Sequence, residues 1–271
     1  MTTINTNVNA LFAQNALTVN NRSLSKAMQQ LSTGSRVNSS GDDAAGLAIG
    51  TSMNAQIKGL NMAVRNANDG ISMLQTAEGA MVEQTNMLQR MRELAVQATT
   101  ATYNTTQLGY LDTEFQALDT QINNIASNTK WNGSTVLATA ATKTFIVGSA
   151  GTESITVALA ATDSTTGLAT TALAVSSAAS AAASVTAIDT ALASISSARA
   201  TIGAGINQLT YAADNLTNVS QNLTASRSQI MDTDYATATT QLARSQIIQQ
   251  AATAMLAQAN QQPQSVLALL K

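Results

Sequence analysis

The sequence has no cysteine, no histidine and a single proline in 271 residues. Without cysteine or histidine, disulfides, thiol nucleophiles, Ser–His catalysis and Cys/His zinc sites are excluded together. A chain without cysteine suits any redox compartment, the outside of a cell included. Aromatics are scarce: one Trp, three Phe and four Tyr. So few rings cannot fill a bulky globular core, whereas thin helix–helix seams need only Ala and Leu. The lone proline, Pro263, leaves almost the whole chain free to be helical. Net charge is only −2, so no strong field points to nucleic acid or to an anionic membrane. No basic segment followed by an apolar run opens the chain, so no cleaved secretory signal is expected. No stretch approaches about eighteen consecutive apolar residues, so no membrane-spanning helix is expected either.

What is present is periodicity. Ile188, Leu192, Ile195, Arg199, Ile202, Ile206, Leu209, Ala213, Leu216, Ser220, Leu223, Arg227 and Ile230 follow one another at alternating steps of four and three. That is a heptad seam, the pattern of a helix burying a narrow stripe against another long helix. A second stripe runs through Met53, Ile57, Leu60, Val64, Ala67, Ile71, Leu74, Glu78, Met81, Thr85, Leu88, Arg92 and Ala95. The N-terminal one belongs to a helix from about residue 44 to about 99, on the order of 80 Å long. Gly46, Gly50, Gly59, Gly70 and Gly79 interrupt it at about 1 kcal/mol each relative to Ala, so close approach of neighbouring backbones is expected there. Ser39 and Ser40, each followed three residues later by Asp42 and Asp43, read as a capping box that starts this helix.

The ends are weaker. Ile4, Val8 and Leu11 lead into Leu17, Leu24 and Leu31 at intervals of seven, with Asn21 and Met28 in the alternate seam positions. Leu242, Gln249 and Leu256 repeat the spacing near the C-terminus, ahead of the apolar tail with Leu267 and Leu270. Such polar, Ala-rich stripes predict helices that depend on packing for their stability. Between the long helices, Leu108, Leu111, Phe115, Leu118, Ile122 and Ile125 predict a third helix. Asn132-Gly133 is a turn signal, and Phe145–Val147 and Ser154–Val157 around a Gly-rich loop predict a β-hairpin. The Ala/Ser/Thr stretch from 160 to 184 reads as a surface loop or weak helix.

The pattern predicts a mainly α fold: a long antiparallel helical bundle or coiled coil with a small β-hairpin region near 131–160. The domains are expected at 43–231 for the bundle and at 1–42 with 232–271 for a terminal coiled coil. Pairing Ala95 with Ile188 and Met53 with Ile230 predicts that Glu83 lies near Arg199.

Several segments resemble one family. Leu31-Ser-Thr-Gly-Ser-Arg-Val-Asn-Ser-Ser-Gly-Asp-Asp-Ala-Ala-Gly-Leu-Ala-Ile49 is similar to the N-terminal signature of bacterial flagellins. Leu88–Gln97 resembles the family's second N-terminal motif. Thr129–Gly133 resembles the lead into its β region, and Thr233–Ala236 with the Gln/Ala-rich C-terminal helix also fits. The resemblance covers roughly 1–140 and 185–271. It implies a structural subunit that polymerises into the extracellular flagellar filament used for swimming, with terminal helices pairing to line a channel and no large outer domain. It implies no cofactor. As partners it implies copies of the chain itself, the flagellar type III export machinery, a flagellin chaperone, and the filament cap and hook-junction proteins. It also implies contact by the vertebrate flagellin-sensing Toll-like receptor at Arg90, Leu94 and Glu114. Plant sensing maps to Gln29–Gly50, where Gly41 stands in place of the Lys of sensed peptides.

Two other classes compete. A chemoreceptor-like signalling coiled coil would also be Ala- and Gln-rich, but without the mid-chain hairpin. An enzyme would need more than the Asp232/Asp234 pair, which reads more simply as a helix cap. No phosphate-cradling glycine cluster follows a strand.

Overall fold

The computed structural model describes residues 7–268, and the side chains of residues 7–261. Five helices and four short strands follow in order: α1 (Val8–Thr33), α2 (Ala44–Ala98), α3 (Thr105–Asn128), β1 (Lys130–Trp131), β2 (Ser134–Thr135), β3 (Ala141–Ile146), β4 (Ser154–Leu159), α4 (Ala178–Met231) and α5 (Tyr235–Ala268). The fold is mainly helical, as the periodicity predicts. Contacts divide the chain into a terminal unit, Met1–Ala55 with Asn222–Lys271, and a central unit, Gln56–Gln221.

The central unit is built on the antiparallel run of α2 past α4. Arg92 donates to Asp189 at 2.6 Å, and Ser220 and Asn61 lie 3.1 Å apart at the other end. Ile188, Ile195, Ile202 and Leu209 of α4 are fully buried, as are Leu74, Met81 and Leu88 of α2. Between the buried α4 positions, however, the deepest residues are Ala191, Ala198 and Gly205. The expected seam members Leu192, Arg199 and Ile206 are only half-buried. Small side chains let the neighbouring elements come closest, so they take the centre while the longer ones flank it.

The expected register is corrected. Arg199 reaches Glu78 at 3.7 Å, five residues and more than one turn from Glu83. The polar pairs Arg92–Asp189 and Asn61–Ser220 set the alignment instead, about two residues out of step with pairing by stripe ends. One described helix, α4, is long and apolar enough to cross a membrane by length and composition only, with a mean hydropathy of 1.3 in its most apolar window. Its Ile188, Ile195, Ile202 and Leu209 are buried in the central unit, as in the core helix of a bundle.

Helix α3 starts with a full capping box: Gln107 N–H donates to the Asn104 side chain at 2.8 Å, and Asn104 N–H to the Gln107 side chain at 3.1 Å. It ends in a tight hairpin whose turn is Asn132-Gly133, with φ of 46° and 82°, the paired positive values a type I′ turn requires. The expected hairpin is β3 against β4, antiparallel, with Phe145 opposite Ile155. It seats on glycines. A Cβ on Gly59 would stand 2.5 Å from the Ser149 carbonyl oxygen, and one on Gly70 would stand 2.7 Å from the Phe145 ring. Close approach thus explains these two, but by the hairpin rather than by a neighbouring helix. Gly79 faces open space and has no such reason.

The 160–176 stretch is not an exposed loop. Thr162, Ser164, Leu168, Thr170 and Val175 are buried. α3 holds it by polar contacts: the Thr170 hydroxyl donates to Asp119 at 2.7 Å, Gln116 donates to Leu173 O at 2.8 Å, and Val175 N–H donates to Asp112 at 2.8 Å. Ser164 N–H donates to Asn123 at 2.9 Å. These hydrogen bonds hold the stretch around its buried Leu168 and Val175, although the Thr162 hydroxyl is buried without a hydrogen-bond partner.

Candidate assembly and recognition surfaces

In the terminal unit α1 packs antiparallel on α5. Asn20 Nδ2 donates to Ser245 O and Asn7 Nδ2 to Ala259 O, both at 2.8 Å. Gln249 Nε2 donates to Asn21 Oδ1 at 3.2 Å. The deepest seam residues are Asn20 and Ala27 on α1 with Ala238 and Ser245 on α5. Leu17, Leu24, Leu31, Leu242 and Leu256 stand half-buried beside them. Asn21 and Met28, expected in the seam, are exposed, one position out from its true members. The seam selects the small and amide side chains because their size lets the helices close, and the amides hydrogen-bond across.

The larger apolar side chains of these helices point outward. Val8 and Leu11 are exposed, and so are Val19, Ile247 and Ile248. Phe12 is 70% exposed and Met255 66%. Phe12, Val19 and Ile248 line one groove; Phe12, Ala16, Ala252 and Met255 line a second of about 520 Å³. Ile4 and Leu270 lie outside the described residues, as does the side chain of Leu267. A packed monomer rarely leaves so much aliphatic and aromatic surface on one pair of helices.

Where α1 and α5 meet α2 and α4, two turns are clipped together. Thr233 N–H donates to Gly34 O at 2.9 Å and Arg36 N–H to Met231 O at 2.6 Å, with Ser35 and Asp232 in an antiparallel bridge. The Arg36 guanidinium donates through Nη2 to Ile230 O at 2.7 Å, satisfying a carbonyl at the end of α4 with a cation, the charge that end favours. Gly34 has φ 70°, a left-handed helix stop. Arg227 reaches Asn54 at 3.2 Å. Nothing in the hydrophobic pattern marks Arg36; its signal is the turn composition around it.

Asp42 and Asp43 both act at the start of α2. Asp43 accepts Gly46 N–H at 2.8 Å, which makes it the N-cap. Asp42 accepts Ser39 N–H at 3.1 Å and pairs with Lys26 at 2.8 Å, but its own N–H goes to the Ser39 carbonyl oxygen, so the expected Ser39 and Ser40 capping box gives way to Asp43 as the cap. Lys26 foremost, then the Ser39 hydroxyl, lower the Asp42 carboxyl to about 2. Asp234 likewise accepts from the Thr237 hydroxyl and Ala236 N–H, which lower its pKa and cap α5. Asp232 accepts from Ser228 at 2.6 Å. These carboxylates are committed to backbone and hydroxyl partners. Among the described residues no group of three or more acidic side chains converges as a metal site.

Arg90 and Glu114 come together. The guanidinium of Arg90 on α2 pairs with Glu114 on α3 at 2.9 Å and with Glu93 at 3.0 Å, and all three are well exposed. Leu94, one turn on from Arg90, is only 1% exposed and belongs to the core.

A family model for the bacterial flagellin N-terminal helical region matches residues 4–142, and one for the bacterial flagellin C-terminal helical region matches residues 185–270. Flagellin of Halalkalibacterium halodurans is 43% identical, with 99% of each chain covered. Flagellin of Bacillus subtilis is 40% identical over 99% of each. The crystal structure of Bacillus cereus flagellin superposes with a TM-score of 0.51 at 32% identity, covering 60% of this chain and 94% of that one. Long paired helices, a small β region and apolar surface displayed on the terminal helices define a helical structural subunit. The chain belongs to the bacterial flagellin family. It is a subunit of the extracellular flagellar filament that serves swimming motility. Full-length flagellin relatives and the β3–β4 hairpin set aside the signalling coiled coil.

Proposed function

We propose that the α1–α5 surface drives filament growth, with Val8, Leu11, Leu17, Leu24, Leu31, Leu242 and Leu256 forming the assembly interface, joined by Ile4, Leu267 and Leu270. The outward display of Phe12, Leu11, Ile247 and Met255 carries this reading, because burying it between copies recovers roughly 25 cal/mol per Å² of apolar area. Repeated over many neighbours, small terms give a stable polymer. On this reading 1–42 and 232–271 line the channel, 43–231 forms the surrounding tube, and the chain carries out no catalysis. Export machinery, a chaperone, the cap and hook-junction proteins are its further partners. The exposed Arg90–Glu114 pair supports recognition by the vertebrate flagellin-sensing Toll-like receptor, with buried Leu94 shaping the helix surface from below.

Deleting residues 1–30 or 240–271 tests the assembly reading. The truncated chains stay monomeric after salt-induced assembly in negative-stain micrographs. Full-length filaments from either truncate overturn it.

A further inference from the structure

Ten methionines are spread through this chain, and the structure sorts them sharply by access. Met73, Met81 and Met91 are buried in the central unit. Met28, Met62 and Met255 are exposed, and Met255 is the most open at 66%. Met255 combines that access with a place in a largely apolar groove, beside Phe12, Ala13, Ala16, Ala252 and Ala259, with the amides Asn9 and Gln258 also in its lining. The thioether is soft and polarisable and needs no proton removed to react, so its susceptibility follows exposure. There is no cysteine thiolate in the chain to intercept an oxidant first.

We propose that Met255 is a redox-modification site, oxidised to the sulfoxide by hydrogen peroxide in the free subunit, and that this modification stops the subunit from joining a filament. The sulfur attacks one peroxide oxygen with a lone pair. The O–O bond breaks, the new S–O bond forms, and the second oxygen leaves as water with both protons. The sulfur is oxidised and the peroxide reduced by the same electron pair. The product is a polar, chiral group in place of a flexible apolar one. It sits in the groove that Phe12 walls, where an incoming copy supplies apolar surface against the S–O dipole and the amides of Asn9 and Gln258 stand only at the groove's lining. Once Met255 is covered by neighbours the oxidant no longer reaches it, so the site reports on subunits before assembly and not on finished filaments. A methionine sulfoxide reductase restores the thioether. This inference rests on the assembly reading of the α1–α5 surface.

The test uses the full chain, hydrogen peroxide as the probe, and peptide mass mapping. In free subunits Met255 gains oxygen before Met28 and Met62, while Met73, Met81 and Met91 stay reduced. Preformed filaments spare Met255. Treated subunits show an approximately tenfold higher critical concentration for assembly, the effect of about 1.4 kcal/mol for a buried polar group left unpaired. Met255→Leu keeps the volume and apolar character, assembles normally, and stays assembly-competent after peroxide, whereas Met28→Leu/Met62→Leu does not protect. If subunits with mapped Met255 sulfoxide assemble like untreated ones, or if Met255→Leu fails to protect, the proposal is overturned. A Phe12→Ser variant separates the two readings. If it fails to assemble while Met255 sulfoxide is harmless, the surface reading stands and the redox site falls. If Phe12→Ser assembles normally, the surface reading falls, and the redox proposal with it.

Discussion

Asp119, buried on α3, accepts a hydrogen bond from the hydroxyl of Thr170 at 2.7 Å, and this contact joins a buried helix carboxylate to the folded-in 160–176 stretch. Thr170→Val removes the donor and keeps the shape. The carboxylate is left unsatisfied, and stability falls by about 1–3 kcal/mol in urea unfolding of the monomer. An unchanged midpoint would mean that the stretch does not depend on this bond.

The Gly59 notch receives the Ser149 carbonyl, which is backbone and has little freedom to give way. Gly59→Ala gains helix propensity but forces the hairpin outward, for a net loss of about 1–3 kcal/mol. Gly79→Ala is the matched control: its Cβ meets nothing within 4 Å. It gains up to about 1 kcal/mol from propensity alone. Thermal melts of the two variants should therefore move in opposite directions.

The Lys26 ammonium, then the Ser39 hydroxyl, hold Asp42 at about 2 against an ordinary 3.8. With the folded-state value depressed, the unfolded chain takes up the proton first as pH falls. The contribution to stability is therefore complete above about 3.8 and fades as pH drops through about 2. Asp42→Asn lacks this dependence. Stability of wild type minus variant, followed by circular dichroism between about pH 5 and about pH 1, declines toward the acid end. A constant difference would show that the Lys26 contact is not formed in solution.

Arg92 and Asp189 bridge α2 and α4 at 2.6 Å, with both side chains roughly half exposed. Solvent screens such a pair. A double-mutant cycle with Arg92→Ala and Asp189→Ala yields about 0–1 kcal/mol of coupling, reduced further by added salt. Coupling well above that range would mean that the pair is shielded from water.

Much of the helical frame is readable in the residues themselves. Ile188, Ile195, Ile202 and Leu209 mark the α4 seam because large side chains at sevens advertise a buried line. Asn132-Gly133 announces its turn because few other pairs accept two positive φ angles. Gly205 and Ala198 are buried too, yet carry too little hydrophobic weight to show in a stripe. Asn20 is hidden for the opposite reason: an amide at a seam position looks like surface until its bond to Ser245 is seen. The 160–176 stretch is opaque because its burial rests on partners such as Asp119 and Asn123, some forty to fifty residues away. The Arg90–Glu114 pair shows in the sequence only through family resemblance, since an exposed Arg and Glu on two helices carry no signal of their own. The outward face of α1 and α5 is likewise ambiguous in sequence. Phe12 and Met255 count as core candidates by composition and become surface only once Asn20 and Ala27 are found to occupy the seam.

The bond from Asn7 to Ala259 spans 252 positions of sequence. A ribosome therefore finishes α1 long before its mate exists. The opening helix must wait, unsatisfied, until almost the entire polypeptide has been made. Timing is thereby written into topology: the last segment synthesised is the one that lets the first settle.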